Sequence, residues 1–585
     1  MLKNDPIANI LRVDLEHKSY AVERREDLFD QYIGGTGVAS KLLLDECPEG
    51  CDPLEPENPI ILAIGPMTGA YPLASKTIAM FKSPLTGDLG ESHCGGRSAL
   101  AIRNAGFGAI VIKGKADIPV YLSIYDHAVH FRNATTLWGM SSNTTVGKII
   151  RANEAGAGTR SIMRIGRAGE NLVRYACVTA ETYRHFGRMG LGAVFGSKNL
   201  KAISISGKDK YPVSDIKEYR KLYDEIYQAS VKSALMKKYH DLGTSVNVNV
   251  LNGIGALPTR NVESGKFDQA NTISGEYLAE HYLGRRLACT GCPVACIHIA
   301  NLREPYEDEP YFYKTTSISY DHELIYAAGS MLGIGDPEKF LKLMDQIEKV
   351  GLDAITAGAT MAWATEAFKK GVITETETNG IKPDWGDHLG YIKMARFIVD
   401  PPNQFYKDMA LGSFQASRIY GGQEYAMAFG KNEMAGYHTG PAGYIGFAIG
   451  ARHSHLDNAG YSVDQKKLME KEIEPETVVD ELVKEEEWRQ IISSIIICFF
   501  ARAIYTPDIV VRALKLAGFD ITTKDLEKIG KEIYRNKYAF KFREGFKIDA
   551  SQIPKRIYET KSPVAYLTED YVNRALKHFE KLIQP

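Results

Sequence analysis

Apolar residues in the first third of the chain come in short runs broken by turn formers. The runs at 10–14, 60–65, 77–81, 109–113, 119–125, 161–165 and 202–205 have strand length, and Gly, Pro, Asn and Asp between them mark the turns. Few windows before residue 207 carry a helical period, which predicts packed or twisted β-sheets. After Ser206-Gly-Lys-Asp-Lys-Tyr-Pro212 the period changes. Apolar positions recur at helical spacing through 218–234, 337–350, 356–370 and 477–501, and Asp336-Pro337 and Thr506-Pro507 have the form of helix starts. The stretch 382–387 and the pair Gly421-Gly422 are the best breaks within the helical part. The pattern therefore predicts an α+β protein: a β base domain over 1–207, then two mainly α-helical domains over 208–420 and 421–585. No internal repeat is evident.

Composition narrows the class. A chain of 585 residues has ample material for a large buried core, so disulfides are not needed to hold it. Its 71 basic and 72 acidic residues are well mixed, leaving no basic stripe for a nucleic-acid backbone. No stretch has the roughly 18–20 apolar residues that span a bilayer, and the N-terminus lacks the apolar core of a secretory signal. These features predict a soluble cytoplasmic protein that binds neither nucleic acid nor membrane. Cysteines are thinly spread except in one place, which argues for a reducing compartment. The Cys47-x-x-x-Cys51 pair is read as a surface feature with no role.

The exception is Cys289-Thr-Gly-Cys292-Pro-Val-Ala-Cys296. Three thiolates on one tight loop suit three corners of an iron-sulfur cube. The fourth ligand must come from elsewhere, and Cys498, in the apolar run Ile495-Ile-Ile-Cys-Phe-Phe500, is the one cysteine C-terminal to the loop. A tetrahedral zinc site competes, although zinc motifs usually come as two separated CxxC pairs; unliganded core cysteines are the third reading. Of the 53 glycines, many gather in the N-terminal third. Gly34-Gly-Thr-Gly37 opens a helix at 38–44 and has free amides for a phosphate, but a simple strand-to-helix turn is the commoner use of such a sequence. Gly65-Pro-Met-Thr-Gly69, Ser83-Pro-Leu-Thr-Gly87, His93-Cys-Gly-Gly96 and Arg184-His-Phe-Gly-Arg-Met-Gly-Leu-Gly192 follow. Together they suggest a backbone cradle for pyrophosphate groups, with Lys76, Arg97, Arg184 and Arg188 as counter-charges.

These motifs, with Lys82-Ser-Pro-Leu-Thr-Gly87, Ala105-Gly-Phe-Gly-Ala-Ile-Val-Ile112, Leu137-Trp-Gly139, Ile165-Gly-Arg-Ala-Gly-Glu-Asn171, Gly192-Ala-Val-Phe-Gly-Ser-Lys-Asn-Leu-Lys-Ala202 and Gly351-Leu-Asp-Ala-Ile355, run in one order along the chain. In that order the chain resembles the tungsten-dependent aldehyde ferredoxin oxidoreductase family. The resemblance implies a β base domain carrying a tungsten bis-molybdopterin cofactor, with Mg2+ bridging the pterin phosphates, two helical domains closing over it, and a [4Fe-4S] cluster beside one pterin.

By the same resemblance, Cys289, Cys292, Cys296 and Cys498 match the cluster ligands. Glu323, in Asp321-His-Glu323 before Gly329-Ser330, matches the family's active-site Glu, although it could equally be a first-turn helix carboxylate. His455, in Arg452-His-Ser-His-Leu-Asp457, matches the active-site His, with His453 as a rival. Lys76, His93, Gly95, Gly96, Arg184 and His185 fall at pterin contacts. The family's two pterin-binding signatures correspond to Glu348-Lys-Val-Gly-Leu-Asp353, which keeps Gly351 and Asp353, and to Ser493-Ser-Ile-Ile-Ile-Cys498, where Ser493 replaces an Asp. Lys76 stands for an Arg and keeps the charge without the bidentate fork.

The implied chemistry is two-electron oxidation of a small-molecule aldehyde to an acid. Glu323 would act as general base and His455 would polarise the carbonyl oxygen. Electrons would leave through the cluster to ferredoxin. The family archetype's bridging Glu-x-x-His is Lys342-Leu-Met-Asp345 here, which suggests a hetero-oligomer with a small polyferredoxin subunit in place of the homodimer. Two further readings stand beside it: a related tungsten enzyme reducing an acid or aromatic acyl-thioester, and a non-catalytic iron-sulfur electron carrier.

Overall fold

The computed structural model describes residues 1–2, 5–306 and 309–584, with 309 and 310 described by backbone alone. Contact density divides the chain into two units, each made of separate segments. The first comprises 1–237, 288–295 and 486–546; the second comprises 238–287, 296–485 and 547–585. This differs from the three consecutive domains expected above. Composition registers where the helical period begins, whereas compactness is decided by which distant segments pack together.

In the first unit, β1 (Asn9–Asp14), β2 (Ser19–Arg24), β3 (Ile60–Ala63), β4 (Thr77–Lys82), β5 (Leu89–Cys94) and β6 (Ala109–Lys113) form a mixed sheet of order β2-β1-β6-β3-β4-β5. A second sheet contains β7 (Val120–Tyr125), β8 (Ala128–Asn133), β9 (Ser161–Ile165), β10 (Val178–Ala180), β11 (Arg184–Phe186) and β12 (Leu200–Ser206), in the order β11-β10-β9-β12-β7-β8. Central strands β3, β4 and β12 are buried at every residue, and β3 (Ile-Ile-Leu-Ala) accordingly reads as an unbroken apolar run without alternation. Leu11, Leu62 and Ile110 of one sheet share a core with Leu122, Met163 and Ile203 of the other.

All seven runs expected as strands are strands. Those that pattern did not reveal are the edge strand β2, which is exposed and polar, the buried strand β5 at the opposite edge, which carries Glu and His, and β8, β10 and β11, which are short or polar. The helix Gly35–Glu46 packs on β3 and β4 and against a long helix, Thr523–Arg543.

The second unit is mainly helical. Helices Pro337–Val350 and Ala354–Lys369 lie where periodicity placed them. Asp336 and Asp353 cap them, each carboxylate accepting a first-turn N–H. The unexpected element is a sheet of β13 (Leu283–Leu287), β14 (Ile297–Tyr306) and β15 (Glu309–Tyr320) in the region read as helical. The expected helix 477–501 is Pro475–Ser494, and the expected helix 218–234 is Ile216–Lys232 followed by Ala234–Leu242. The first of these stops short because Ile496 adopts φ +61, a left-handed conformation unusual for a β-branched residue. What holds it there is pairing of 496–498 with 74–76: Ile497 bridges Ala74, and the Lys76 N–H donates to Ile496 O. No helix among the described residues is long and apolar enough to cross a membrane.

Candidate functional site

The first unit gathers three of the four candidate ligand cysteines. Gly291, at φ +68, turns the loop so that the Cys292 N–H reaches Cys289 O at 3.1 Å. Two backbone bonds pin it: Thr290 N–H to Gly96 O at 3.0 Å and Leu73 N–H to Gly291 O at 3.3 Å. The same Leu73 accepts the Cys498 N–H at 3.0 Å, so one residue ties the triplet loop to the distant cysteine. Leu73 itself has φ +66, and Ala295, just before Cys296, has φ +51. Strained backbone of this kind costs on the order of 1–3 kcal/mol per residue and persists where the surroundings over-determine it.

The electrostatic surroundings of these thiols differ. Burial pushes the Cys292 thiol up to about 11, and the nearby sulfurs of Cys498 and Cys289 add to the rise. Burial also raises Cys289, but Arg184, Lys76 and hydrogen bonds from Gly96 and Ser75 outweigh it and leave that thiol below its ordinary value. Gly95 is required sterically, since a Cβ there would lie 2.8 Å from Cys289 Sγ and 3.3 Å from Lys76 Nζ. Cys296 begins the next segment and belongs to the second unit. Among the described residues no three His, Cys, Asp or Glu side chains are gathered tightly enough to hold one ion; an iron-sulfur cube spaces its sulfurs wider than a single ion does.

The basic lining comes from two sheet edges. β5 ends one sheet and runs into His93-Cys-Gly-Gly96, β11 ends the other and carries Arg184 and His185, and the two strands are in contact. Arg184 Nε lies 3.5 Å from the Cβ position of Gly95. His93 Nε2 meets Glu91 Oε1 at 2.7 Å, and Glu91 is also held by Lys537 at 2.5 Å and by Thr36 at 2.8 Å. His185 is paired across the sheet with Thr179. The Gly34-Gly-Thr-Gly37 turn is occupied by protein: the Gly37 N–H donates to Ser494 Oγ at 3.1 Å, the Gly35 N–H donates to Ile64 O at 2.8 Å, and a Cβ on Gly35 would collide with Ser493 O. Those glycines let the backbone around Ser493 approach.

In the second unit, Glu323 stands in the first turn of the helix His322–Ala328, capped by Asp321. Its carboxylate reaches beyond its own helix. Oε2 accepts the Gly436 N–H at 2.9 Å, and Oε1 lies 3.5 Å from His455 Nε2. His455 opens a short helix, His455–Asn458, fixed by a capping box between Ser454 and Asp457, while Asp457 also binds the Arg452 guanidinium at 2.6 Å. His453 is placed differently. It has φ +55, is buried against Gly430, and its Nδ1 meets Phe447 O at 2.9 Å.

Two tyrosines that sequence reading did not single out complete the surroundings. Tyr437 stacks on Tyr461 at 4.2 Å and lies 5.2 Å from the His455 ring. Burial holds the Tyr437 hydroxyl well above its usual range, and the Glu323 charge adds to this. The signal for Tyr437 in the sequence is a local density of Gly and aromatic residues around 429–444, and Tyr461 has none of that kind. Glu348 and Asp353 also lie in this unit. Ser319 Oγ donates to Glu348 at 3.4 Å, and Asp353 accepts from the Ile355 N–H and from Thr356 Oγ1 at 2.6 Å.

Comparison with known proteins agrees along the chain. The description "Aldehyde ferredoxin oxidoreductase, N-terminal domain" matches residues 10–207, and "Aldehyde ferredoxin oxidoreductase, domains 2 & 3" matches 221–584. The chain is 32% identical over 576 residues to a tungsten-containing aldehyde ferredoxin oxidoreductase of Pyrococcus furiosus, covering 94% of this chain and 91% of the relative. It is 33% identical over 574 residues to the protein so named from Thermococcus kodakarensis, with the same coverage. An aliphatic sulfonate oxidoreductase WOR-like subunit of P. furiosus is 32% identical over 425 residues, covering 70% of this chain and 66% of that one. The fold is also that of the solved active-site complex BamBC of benzoyl coenzyme A reductase, with a TM-score of 0.82 at 20% identity over 98% of this chain and 94% of that one. With both family regions matched in order and two relatives covered nearly end to end, this chain belongs to the aldehyde ferredoxin oxidoreductase family of oxidoreductases.

Proposed function

We propose that this protein oxidises an aldehyde to the carboxylic acid and delivers the electrons to ferredoxin or to a small polyferredoxin subunit. The observation that carries the reading is the Glu323–His455 pair, with one carboxylate oxygen anchored by the Gly436 amide and the other turned toward the imidazole at 3.5 Å. Cys289, Cys292, Cys296 and Cys498 would hold a [4Fe-4S] cluster. Lys76, His93, Arg184 and His185, with the backbone of Gly95 and Gly96, would hold the phosphates of a tungsten bis-molybdopterin and their Mg2+, and Glu348, Asp353 and Ser493 would meet its pterin rings. The donor sets fit: thiolates beside Lys76 and Arg184, and a Gly95 whose missing Cβ leaves room at Cys289 Sγ. When bound, these groups supply a two-electron acceptor and a one-electron relay.

Oxidation of an aldehyde with water releases two protons along with two electrons, so the protein must provide a base. Glu323 Oε1 takes the proton, because Oε2 is committed to Gly436. His455 Nε2 donates a hydrogen bond to the carbonyl oxygen as its charge builds. At 3.5 Å the two groups are a little beyond a good hydrogen bond, a common state before substrate tightens the contact. Tyr437 and Tyr461 pack against His455 and screen it from water on that side.

Glu323→Gln is expected to keep tungsten and iron per chain while lowering aldehyde-dependent viologen reduction about 100- to 10,000-fold, the usual worth of a general base. Full turnover in that variant would remove Glu323 from the mechanism. The polyferredoxin partner is proposed because the 342–345 segment reads Lys-Leu-Met-Asp, with Lys342 paired to Glu304 at 3.2 Å and Asp345 to Lys349 within the chain. Native purification is expected to bring down a small iron-rich chain; gel filtration giving a homodimer alone would overturn that assignment.

A further inference from the structure

The first unit holds another pair of thiols, outside the ligand set, whose placement is built by local sequence. The helix Gly35–Glu46 ends at Cys47, which leaves the helical conformation with φ −83 and ψ 118. Pro48 cannot continue the helix, and the turn Pro48-Glu-Gly-Cys51 closes with the Cys51 N–H on Pro48 O at 3.3 Å. Gly50, third in that turn, has φ +72, the left-handed conformation this turn needs and glycine adopts freely. Cys51 is thereby folded back over the helix end, and its Sγ lies 3.5 Å from Cys47 Sγ, both thiols being free.

The arrangement is held from outside the turn as well. Arg543 donates to Leu44 O at 2.8 Å and to Cys47 O at 2.9 Å, capping the last carbonyls of the helix. Glu544 accepts the Gly50 N–H at 3.1 Å and pairs with Lys82. Cys47 is 2% exposed, whereas Cys51 is partly open to solvent. The expectation that this pair is a surface feature without a role does not describe such a site.

We propose that Cys47 and Cys51 are a reversible dithiol–disulfide couple that exchanges with small-molecule disulfides. The sulfurs need to approach from 3.5 Å to a bond length of about 2.0 Å, a distance within reach of side-chain rotation. In the forward direction the Cys51 thiolate attacks one sulfur of an external disulfide RSSR, forming a mixed disulfide and releasing one thiolate. Cys47 then loses its proton and attacks the Cys51 sulfur, releasing the second. The protein gives up two electrons and two protons, and RSSR becomes two RSH. The order follows from exposure, and the hydrogen bond from Cys47, countered in part by burial and assisted by the Lys82 charge, draws Cys51 down to about 7 while Cys47 is raised.

The test uses the intact, metal-loaded protein, handled without oxygen and equilibrated in glutathione buffers of graded poise, then unfolded, alkylated and digested with trypsin. Peptide 42–76 contains these two cysteines and no others. It is expected to pass from doubly alkylated to unalkylated and lighter by two hydrogen atoms, to return on adding dithiothreitol, and to carry little glutathione at any poise. A peptide that stays doubly alkylated at the most oxidising poise, or one that stops as a glutathione adduct, overturns the proposal. Cys47→Ser should trap the adduct on Cys51, and Cys51→Ser should leave Cys47 unmodified; equal reactivity of the two variants overturns the assigned order.

Discussion

Glu323 and His455 are set apart from their neighbours by what holds each of them. Two histidines stand two positions apart in one segment, and residue type alone cannot choose between them. His453 spends its ring on Phe447 O and on a packing contact with Gly430, whereas His455, at a capped helix start, faces Glu323. The anchoring Gly436 amide and the Tyr437 ring come from a segment more than a hundred residues beyond Glu323, so no local pattern marks them. Behind them lie two histidines, His322 and His438, which burial holds down to about 4 from an ordinary 6.5. Between those values the unfolded chain binds protons that the folded chain refuses. The stability they contribute is therefore complete above about pH 6.5 and is lost as pH falls toward 4. The melting temperature is expected to drop on acidification through this range, and to drop less steeply in His438→Gln. Parallel slopes for the two proteins would show that His438 is not the group titrating.

At the scale of elements, the loop 289–292, the 493–498 turn and the β5 end are fitted to one another through backbone. At Gly95 any side chain meets Cys289 Sγ, 2.8 Å from the Cβ position. Gly95→Ala costs roughly 1–3 kcal/mol of overpacking directed at that sulfur. Purified without oxygen beside the natural protein, the variant should keep its helical content and carry distinctly less iron per chain; undiminished iron would argue that Cys289 is not a ligand. The helix expected to run on to 501 shows the competing principle. Apolar periodicity favours continuation, but pairing with 74–76 holds Ile496 at φ +61 and delivers Cys498 from a turn. Strands β14 and β15 were missed for a related reason. Their mixture of Tyr, Thr, Lys and Glu gives no clean alternation, and it is their mutual pairing that makes them strands.

On the scale of the whole molecule, the chain leaves the first unit at 237 and re-enters it at 288–295 and again at 486–546. Gly34, Gly35 and Gly65 pack against the backbone of 493–495, and Lys537 and Lys541 meet the buried carboxylates Glu91 and Asp88. Fragment 1–237 alone lacks these partners and would leave both carboxylates without their lysine counter-charges, a penalty of several kcal/mol. It is expected to show secondary structure without fixed tertiary packing, read as lost near-ultraviolet circular dichroism, and to be rescued in part by co-expressing 486–546. A fragment with native-like amide protection would show that the β base stands alone.

What the sequence by itself determined is the local order of the chain: seven strands of the sheets, the long amphipathic helices, the triplet of thiols and the turn that returns Cys51 to Cys47. Each of these depends on neighbours within a few residues, where periodicity, Gly and Pro act directly. Tertiary structure alone decided which distant segments close each unit, where Cys498 is delivered, and which histidine meets Glu323. Those outcomes rest on contacts between residues more than a hundred positions apart, and burial there overrides the local preference of the chain.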